Sequence, residues 1–308
     1  MKEKIRESLI KSGAAAVGFA RAGEIDKSVH EKFKEWIGKG KHGDMSYLER
    51  HIPLRKHTDN VLMGATTVIS LAYSYFPKEW RSNELPYISA YAYGEDYHYS
   101  IKEKLLPVVK DLQVEFGGKW RICIDSAPLA EKYWALKSGI GKRGLNGSII
   151  VNGCGSMCFL AEILTTLSIT PDNPSEEICE KCGECIRICP AKAISGDGTI
   201  DASKCINYLT IEKKGEFSEE EKKLLRSEEG YLFGCDRCIR VCRYNRANSC
   251  SNYTEIHDIP EINSLLPCHI INIGEGEFKK IFARSPLSYA GLSRLQRNAR
   301  NLLEETND

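Results

Sequence analysis

The chain has 308 residues, enough for two domains, and an apolar share of 42% that is ordinary for a packed globular protein. Its 43 Lys and Arg nearly balance its 42 Asp and Glu, leaving a net charge of +1. No global field therefore draws it to nucleic acid or membrane, and any nucleic-acid site must be a local patch. No stretch approaches the ~20 apolar residues of a membrane span. The charged start, Met1 to Lys11, lacks the apolar core of a secretory leader, so a cytoplasmic protein with reduced thiols is expected.

Ile5, Leu9 and Ile10 stand at helical spacing and predict a helix from Lys2 to Ser12, ended by Gly13. Ala15 to Ala20 reads as a strand, and Thr66 to Tyr73 as a short buried strand. Ile101, Leu105, Val109, Leu112 and Phe116 form a helical stripe over Ser100 to Phe116, where Pro107 predicts a kink or a late start. Lys119 to Ile124 is the next strand, Leu129 to Ser138 a helix, and Ser148 to Val151 a strand. This alternation up to about residue 170 suggests an α/β sandwich. Ile169 to Glu177, with two prolines, reads as a linker. The last segment, 251–308, ends in a basic helix bearing Arg294, Arg297 and Arg300.

Gly139-Ile-Gly141-Lys-Arg-Gly144 matches the Gly-x-Gly-x-x-Gly pattern. A dinucleotide site needs a strand before it and a helix after it; here the order is reversed, so a helix terminator and tight turn are expected. Asp125 closes the Trp-Arg-Ile-Cys-Ile strand beside a turn. A carboxylate there suits a ligand site, and it suits the capping of the helix near Pro128 equally well. His98, after Asp96 and Tyr97, is on its own more often structural than functional.

The strongest signal is Cys179, Cys182, Cys185 and Cys189 followed by Pro190, the Cys-x2-Cys-x2-Cys-x3-Cys-Pro run of bacterial ferredoxins. The fourth cysteine of such a run serves a second cluster, which calls for a second set. Cys205, Cys235, Cys238 and Cys242 supply it. By that logic Cys179, Cys182, Cys185 and Cys242 hold one 4Fe-4S cluster, while Cys189, Cys205, Cys235 and Cys238 hold the other. About thirty residues separate Cys205 from Cys235; the charged stretch Lys213 to Gly230 is expected as a solvated loop and helix. Zinc is the main alternative for Cys-x2-Cys pairs, and a disulfide framework ranks below it. Cys123, Cys154 and Cys158 are read as packing residues, and Cys250 and Cys268 carry no readable role.

Further segments point to a family. They are His42-Gly-Asp-Met-Ser-Tyr-Leu48, Tyr91-Ala-Tyr-Gly-Glu-Asp-Tyr-His98, Asp125-Ser-Ala-Pro128 with Glu131, and Gly139-Ile-Gly-Lys142. Phe159-Leu-Ala-Glu162-Ile, Cys205-Ile-Asn-Tyr-Leu-Thr-Ile-Glu212, Gly234-Cys-Asp236 with Cys238, and Arg297-Asn298 complete the set. In this order they resemble the epoxyqueuosine reductases, which are related to the reductive dehalogenases. The resemblance implies reduction of epoxyqueuosine to queuosine in tRNA, base-off cobalamin, two 4Fe-4S clusters, and Asp125 as proton donor with a raised pKa. It places Arg55, Asp96, Tyr97, His98, Gly141 and Lys142 along the cobalamin.

The implied architecture is α+β: an α/β sandwich cobalamin domain (1–170), a ferredoxin-like domain (171–250) and a C-terminal helical segment (251–308). The expected partners are a tRNA with a queuosine-type anticodon loop and a reduced electron-donor protein or reductase, with no membrane and a monomeric chain. Arg294, Arg297, Arg300, Lys213 and Lys214 are candidate RNA contacts. The chain departs from the family pattern at Ala90, Ile140, Met157 and Arg243-Tyr244. A cobalamin reductase of a small molecule, and more remotely a plain ferredoxin, stand as alternatives.

Overall fold

Eight short strands organise the chain: β1 (Ala16–Arg21), β2 (Thr67–Ser74), β3 (Tyr87–Ile88), β4 (Trp120–Cys123), β5 (Gly141–Arg143), β6 (Ile149–Val151), β7 (Cys158–Thr165) and β8 (Tyr231–Phe233). They are seen in a computed structural model that describes residues 1–175, 177–227, 229–246 and 259–304. Cys250 and the expected boundary near residue 250 lie outside the described residues. The main sheet has the order β1-β2-β7-β4, and every neighbouring pair is antiparallel.

The layers are those of a sandwich, but the sheet is not the parallel one that an α/β alternation suggests. The difference is β7, a central strand with no counterpart among the expected elements. It enters between β2 and β4 and reverses the pattern. β2 is buried along its whole length because both of its faces are covered. On one face Phe19, Ile69, Leu71, Ala161 and Ile163 meet the helices Lys2–Lys11 and Tyr97–Phe116. On the other, Ala20, Val68, Cys123 and Leu164 meet the helix Glu131–Lys137 through Trp134. That helix ends close against β1, where a Cβ on Gly18 would stand 2.1 Å from the Ser138 carbonyl oxygen.

The helix Tyr97–Phe116 starts three residues before its expected first turn because Asp96 caps it, accepting the His98 N–H at 2.9 Å. Gly139 turns the chain with φ +74, after which Gly141–Arg143 forms β5 against β6, so no dinucleotide loop is built.

The cysteine-rich half is tied to the front half. β3 pairs in parallel with β8, which lies in the insertion between Cys205 and Cys235. Tyr208 accepts the Asp44 N–H and donates to the Asp44 carboxylate, both at 2.9 Å. A Cβ on Gly43 would strike the Tyr208 ring, so this contact needs glycine, whose φ is +58. Within the insertion, the helix Glu219–Arg226 opens on a Ser218–Glu221 capping box.

The C-terminal helix Leu287–Leu303 packs on β8 and contributes Leu287, Leu295 and Ala299 to the same core as Ile5 and Ile69. It does not offer Arg297 to RNA. Arg297 is buried: its guanidinium donates to the carbonyls of Leu209, Lys213 and Gly215 and stacks 4.0 Å over Phe217. Arg294 donates to the Ile211 carbonyl, and Lys213 pairs with Glu221 at 3.1 Å. Backbone carbonyls freed by the insertion's turns need donors, and these cations supply them. Arg300 remains exposed.

Candidate active site

The cysteines gather in two groups. Cys179, Cys182, Cys185 and Cys242 line one pocket, together with Gly144 and Tyr244. Cys189, Cys205 and Cys235 lie within charge-interaction range of Cys238. The backbone wraps tightly here: Lys181 and Lys192 both take φ near +50, unusual for non-glycine residues. Burial and mutual repulsion push up the thiols of Cys205, Cys235 and Cys238, Cys235 to about 12 and Cys238 well above its usual range. Desolvated sulfurs that repel one another suit iron, whose charge would offset both effects. The Ala193 N–H already points at Cys189 Sγ at 3.4 Å, a donor of the kind that tunes cluster potential.

The second constellation surrounds Asp125. This residue lies in the loop just after β4 with φ +53, a left-handed conformation that aspartate tolerates. Its N–H donates to Glu131 Oε1 at 2.7 Å, and its Oδ2 accepts the Tyr97 hydroxyl at 2.7 Å. His98 Nε2 stands 3.7 Å from the same oxygen, while His98 Nδ1 bonds Asp96 Oδ1 at 2.7 Å. Tyr97 stacks between His98 and Phe159, with ring centroids 4.2 Å away on each side. Arg55, 5.1 Å over the Phe33 ring, feels the charges of Glu131 and Asp125, and its Nε has no hydrogen-bond partner among the described residues.

The electrostatics depart from expectation at Asp125. Burial alone would raise its pKa, but His98, Tyr97 and Arg55 outweigh burial and hold it below the usual carboxylate range. The proton sits elsewhere. His98 is pushed up to about 9: desolvation opposes its charge, but Asp125 and Asp96 on either side favour it more strongly. Glu131 is pushed up to about 8 by burial and by the Asp125 charge. Glu162 on β7 is raised further by burial beside Glu131.

Asp125 exposes 59% of its side chain, and Lys132 is also accessible, yet both are desolvated by surrounding protein. Groups that are reachable but poorly hydrated mark the wall of a recess, not the outer surface. Lys132 feels the charges of Asp125 and Glu131 and also that of Cys238, so the recess adjoins the second cysteine set. Tyr97, backed by the buried Phe159 and Tyr75 rings, and the charged groups around it suit a large flat ligand with polar edges.

Arg55, Asp96, Tyr97, His98 and Asp125 are thus brought together. Gly141 and Lys142 are not. Lys142 turns to Glu177 at 3.6 Å and to the Tyr244 ring at 4.7 Å, beside the Cys242 pocket, and Gly141 faces the Ile150 carbonyl across the β5–β6 pair. Lys132 carried no sequence signal. Its place in the recess follows from the short helix that begins at Glu131. At the departures, Met157 and Ala90 are buried core residues; next to Arg243-Tyr244, the retained Asn245 accepts the Ser156 N–H at 2.7 Å.

Fold and cysteine layout together define a double-cluster iron–sulfur oxidoreductase. Residues 178–245 match the family described as a 4Fe-4S double cluster binding domain, and residues 55–126 match Epoxyqueuosine reductase QueG, DUF1730. An epoxyqueuosine reductase of Cyclobacterium marinum is 36% identical over 298 residues, spanning 94% of this chain and 94% of its own. The chain belongs to the epoxyqueuosine reductase family. A crystal structure of epoxyqueuosine reductase with an epoxyqueuosine-modified tRNA-Tyr stem loop superposes with a TM-score of 0.86 at 27% identity, covering 98% of this chain and 80% of that one. A reductive dehalogenase structure, described with a mechanism for B12-dependent dehalogenation, shares the fold at a TM-score of 0.51 and 17% identity, over 97% of this chain and 37% of that one.

Proposed function

We propose that this protein reduces epoxyqueuosine to queuosine in tRNA, with electrons passing through two 4Fe-4S clusters to base-off cobalamin. The reaction removes the epoxide oxygen as water and consumes two electrons and two protons. Each cluster carries one electron at a time, so a centre that stores reducing power must stand between clusters and substrate. Cobalamin, when bound, supplies that centre through the strongly reducing Co(I) level. Cys189, Cys205, Cys235 and Cys238 hold the cluster beside the recess. Cys179, Cys182, Cys185 and Cys242 hold the outer one, where exposed Cys182 gives a reduced donor protein or reductase its point of approach. In this division residues 1–170 bind cobalamin, 171–250 carry the clusters, and 251–308 close the core.

The observation that carries this reading is the proton-charged Asp96–His98–Asp125 series inside a recess next to a cysteine set. His98 Nε2 holds the proton at rest. Asp125 receives it as substrate enters and excludes water, and passes it to the departing oxygen, a step typically worth ~10²–10⁴ in rate. Tyr97 fixes the Asp125 carboxylate against its aromatic stack, and Arg55 offsets its charge.

Asp125→Asn, reconstituted anaerobically with iron, sulfide and cobalamin, is expected to keep both cluster spectra and lose turnover of epoxyqueuosine-containing tRNA by at least ~10²-fold. Retained turnover would remove Asp125 from the mechanism. A wild-type protein that binds the corrin but leaves the tRNA untouched would favour the small-molecule reading.

A further inference from the structure

Glu162 is a carboxyl in the middle of a sheet. It sits on β7 opposite Ser70 of β2 and Cys123 of β4, with none of its surface exposed. Neither of its carboxyl oxygens, nor the Ser70 hydroxyl, has a hydrogen-bond partner among the described residues. The carboxyl that reaches it is that of Glu131, and ionising an acid in so desolvated a site is costly. Its dominant charged neighbour is another acid, Glu131, with Asp125 beyond it. Glu131 in turn faces Glu162 from β7, Asp125 from the loop after β4, and Arg55 from the segment after the helix Tyr47–Leu54. Glu131 Oε1 also accepts the N–H of Asp125, the residue whose backbone holds a left-handed φ.

We propose that the Glu131–Glu162 pair is a latch that positions Asp125, closed while both carboxyls are protonated and released when Glu131 ionises. Glu131 is a positioning residue here, because its bond is to the Asp125 backbone and not to the reacting atoms. Glu162 anchors it from within the sheet. With both protons in place the pair is neutral and leaves Arg55 to face the Asp125 charge. Once Glu131 ionises, its carboxylate abuts the Glu162 carboxyl in a desolvated site and repels Asp125⁻. Of the three, Glu162 is fixed by its strand and Glu131 by its helix, so the Asp125 loop is the part able to yield. The role in turnover rests on the epoxyqueuosine reductase reading; the latch itself does not.

Hydrogen exchange over residues 124–131 of the cofactor-free protein, corrected for intrinsic pH dependence, tests the latch directly. Wild type should protect the Asp125 amide at pH 7 and lose protection as pH rises through about 8. Glu131→Gln, whose amide oxygen still accepts that N–H, should stay protected at both pH values. Glu131→Ala should be unprotected throughout. Infrared spectra should show protonated carboxyl absorption at pH 7 that weakens in Glu162→Gln. No such absorption in wild type, or full protection in Glu131→Ala, would overturn the proposal. In turnover, Glu131→Ala should lower kcat about 10²-fold with KM retained; lost protection with unchanged kcat would overturn the positioning role. If wild type leaves tRNA unmodified while the exchange pattern holds, the functional reading fails and the latch stands.

Discussion

His98 sits between two carboxylates, 2.7 Å from Asp96 Oδ1 and 3.7 Å from Asp125 Oδ2. Its folded pKa of about 9 exceeds the 6.5 of a free imidazole. A raised folded value means the pairing stabilises fully below pH 6.5 and is lost as pH rises through 9. The side chain is 35% exposed, so solvent screening reduces this to about 1–2 kcal/mol. His98→Gln should therefore melt below wild type at pH 6, with the gap closing by pH 9. A gap that is constant with pH would mean His98 contributes packing and not charge. The same pairing explains why Asp125 need not hold the proton itself. The sequence points to an acid in that loop, and the structure supplies the proton from the imidazole next door.

Elements that meet only through tertiary contacts are where the sequence is least informative. The helix Lys2–Lys11 and strand β2 were legible because their apolar spacing is local. β7 was hidden by Cys158, Glu162 and Thr165, residues that do not read as a buried strand, although β7 is the strand both β2 and β4 pair with. β3 and β8 are too short for any periodicity, and their pairing spans 144 residues. Arg297 shows the opposite error, a buried anchor read as a candidate RNA contact. Arg297 and Asn298 clamp the insertion: Asn298 donates to the Thr210 carbonyl at 2.8 Å and the Leu232 carbonyl at 3.0 Å, while Arg297 satisfies three more carbonyls. Arg297→Ala strands those acceptors in a buried site and should cost about 2–4 kcal/mol in urea denaturation. Arg300→Ala, on the exposed face, should stay within ~0.5 kcal/mol. Equal effects would show that the clamp carries no stability.

At the scale of the whole molecule, the crossed ligand sets make the cysteine-rich half a closed unit. The first run lends Cys189 to the far set, and the last cysteine, Cys242, returns to the near one. The near set therefore brings together both ends of residues 179–242, the far set joins residues 189–238, and the inserted helix and β8 lie between the members of both. Loss of one ligand should be felt by the set it serves, not by the run it belongs to. Cys189→Ala should lose about four iron atoms, the content of one cubane. Its reduced-state EPR spectrum should match that of Cys238→Ala and differ from that of Cys182→Ala. Cys242→Ala should match Cys182→Ala. A Cys189→Ala spectrum like that of Cys182→Ala would mean the run closes on itself. Because the Cys189 set is the one beside the recess, Cys189→Ala should also abolish turnover even with the outer cluster intact: an electron entering near Cys182 would then have no carrier between the surface and the Asp125 recess.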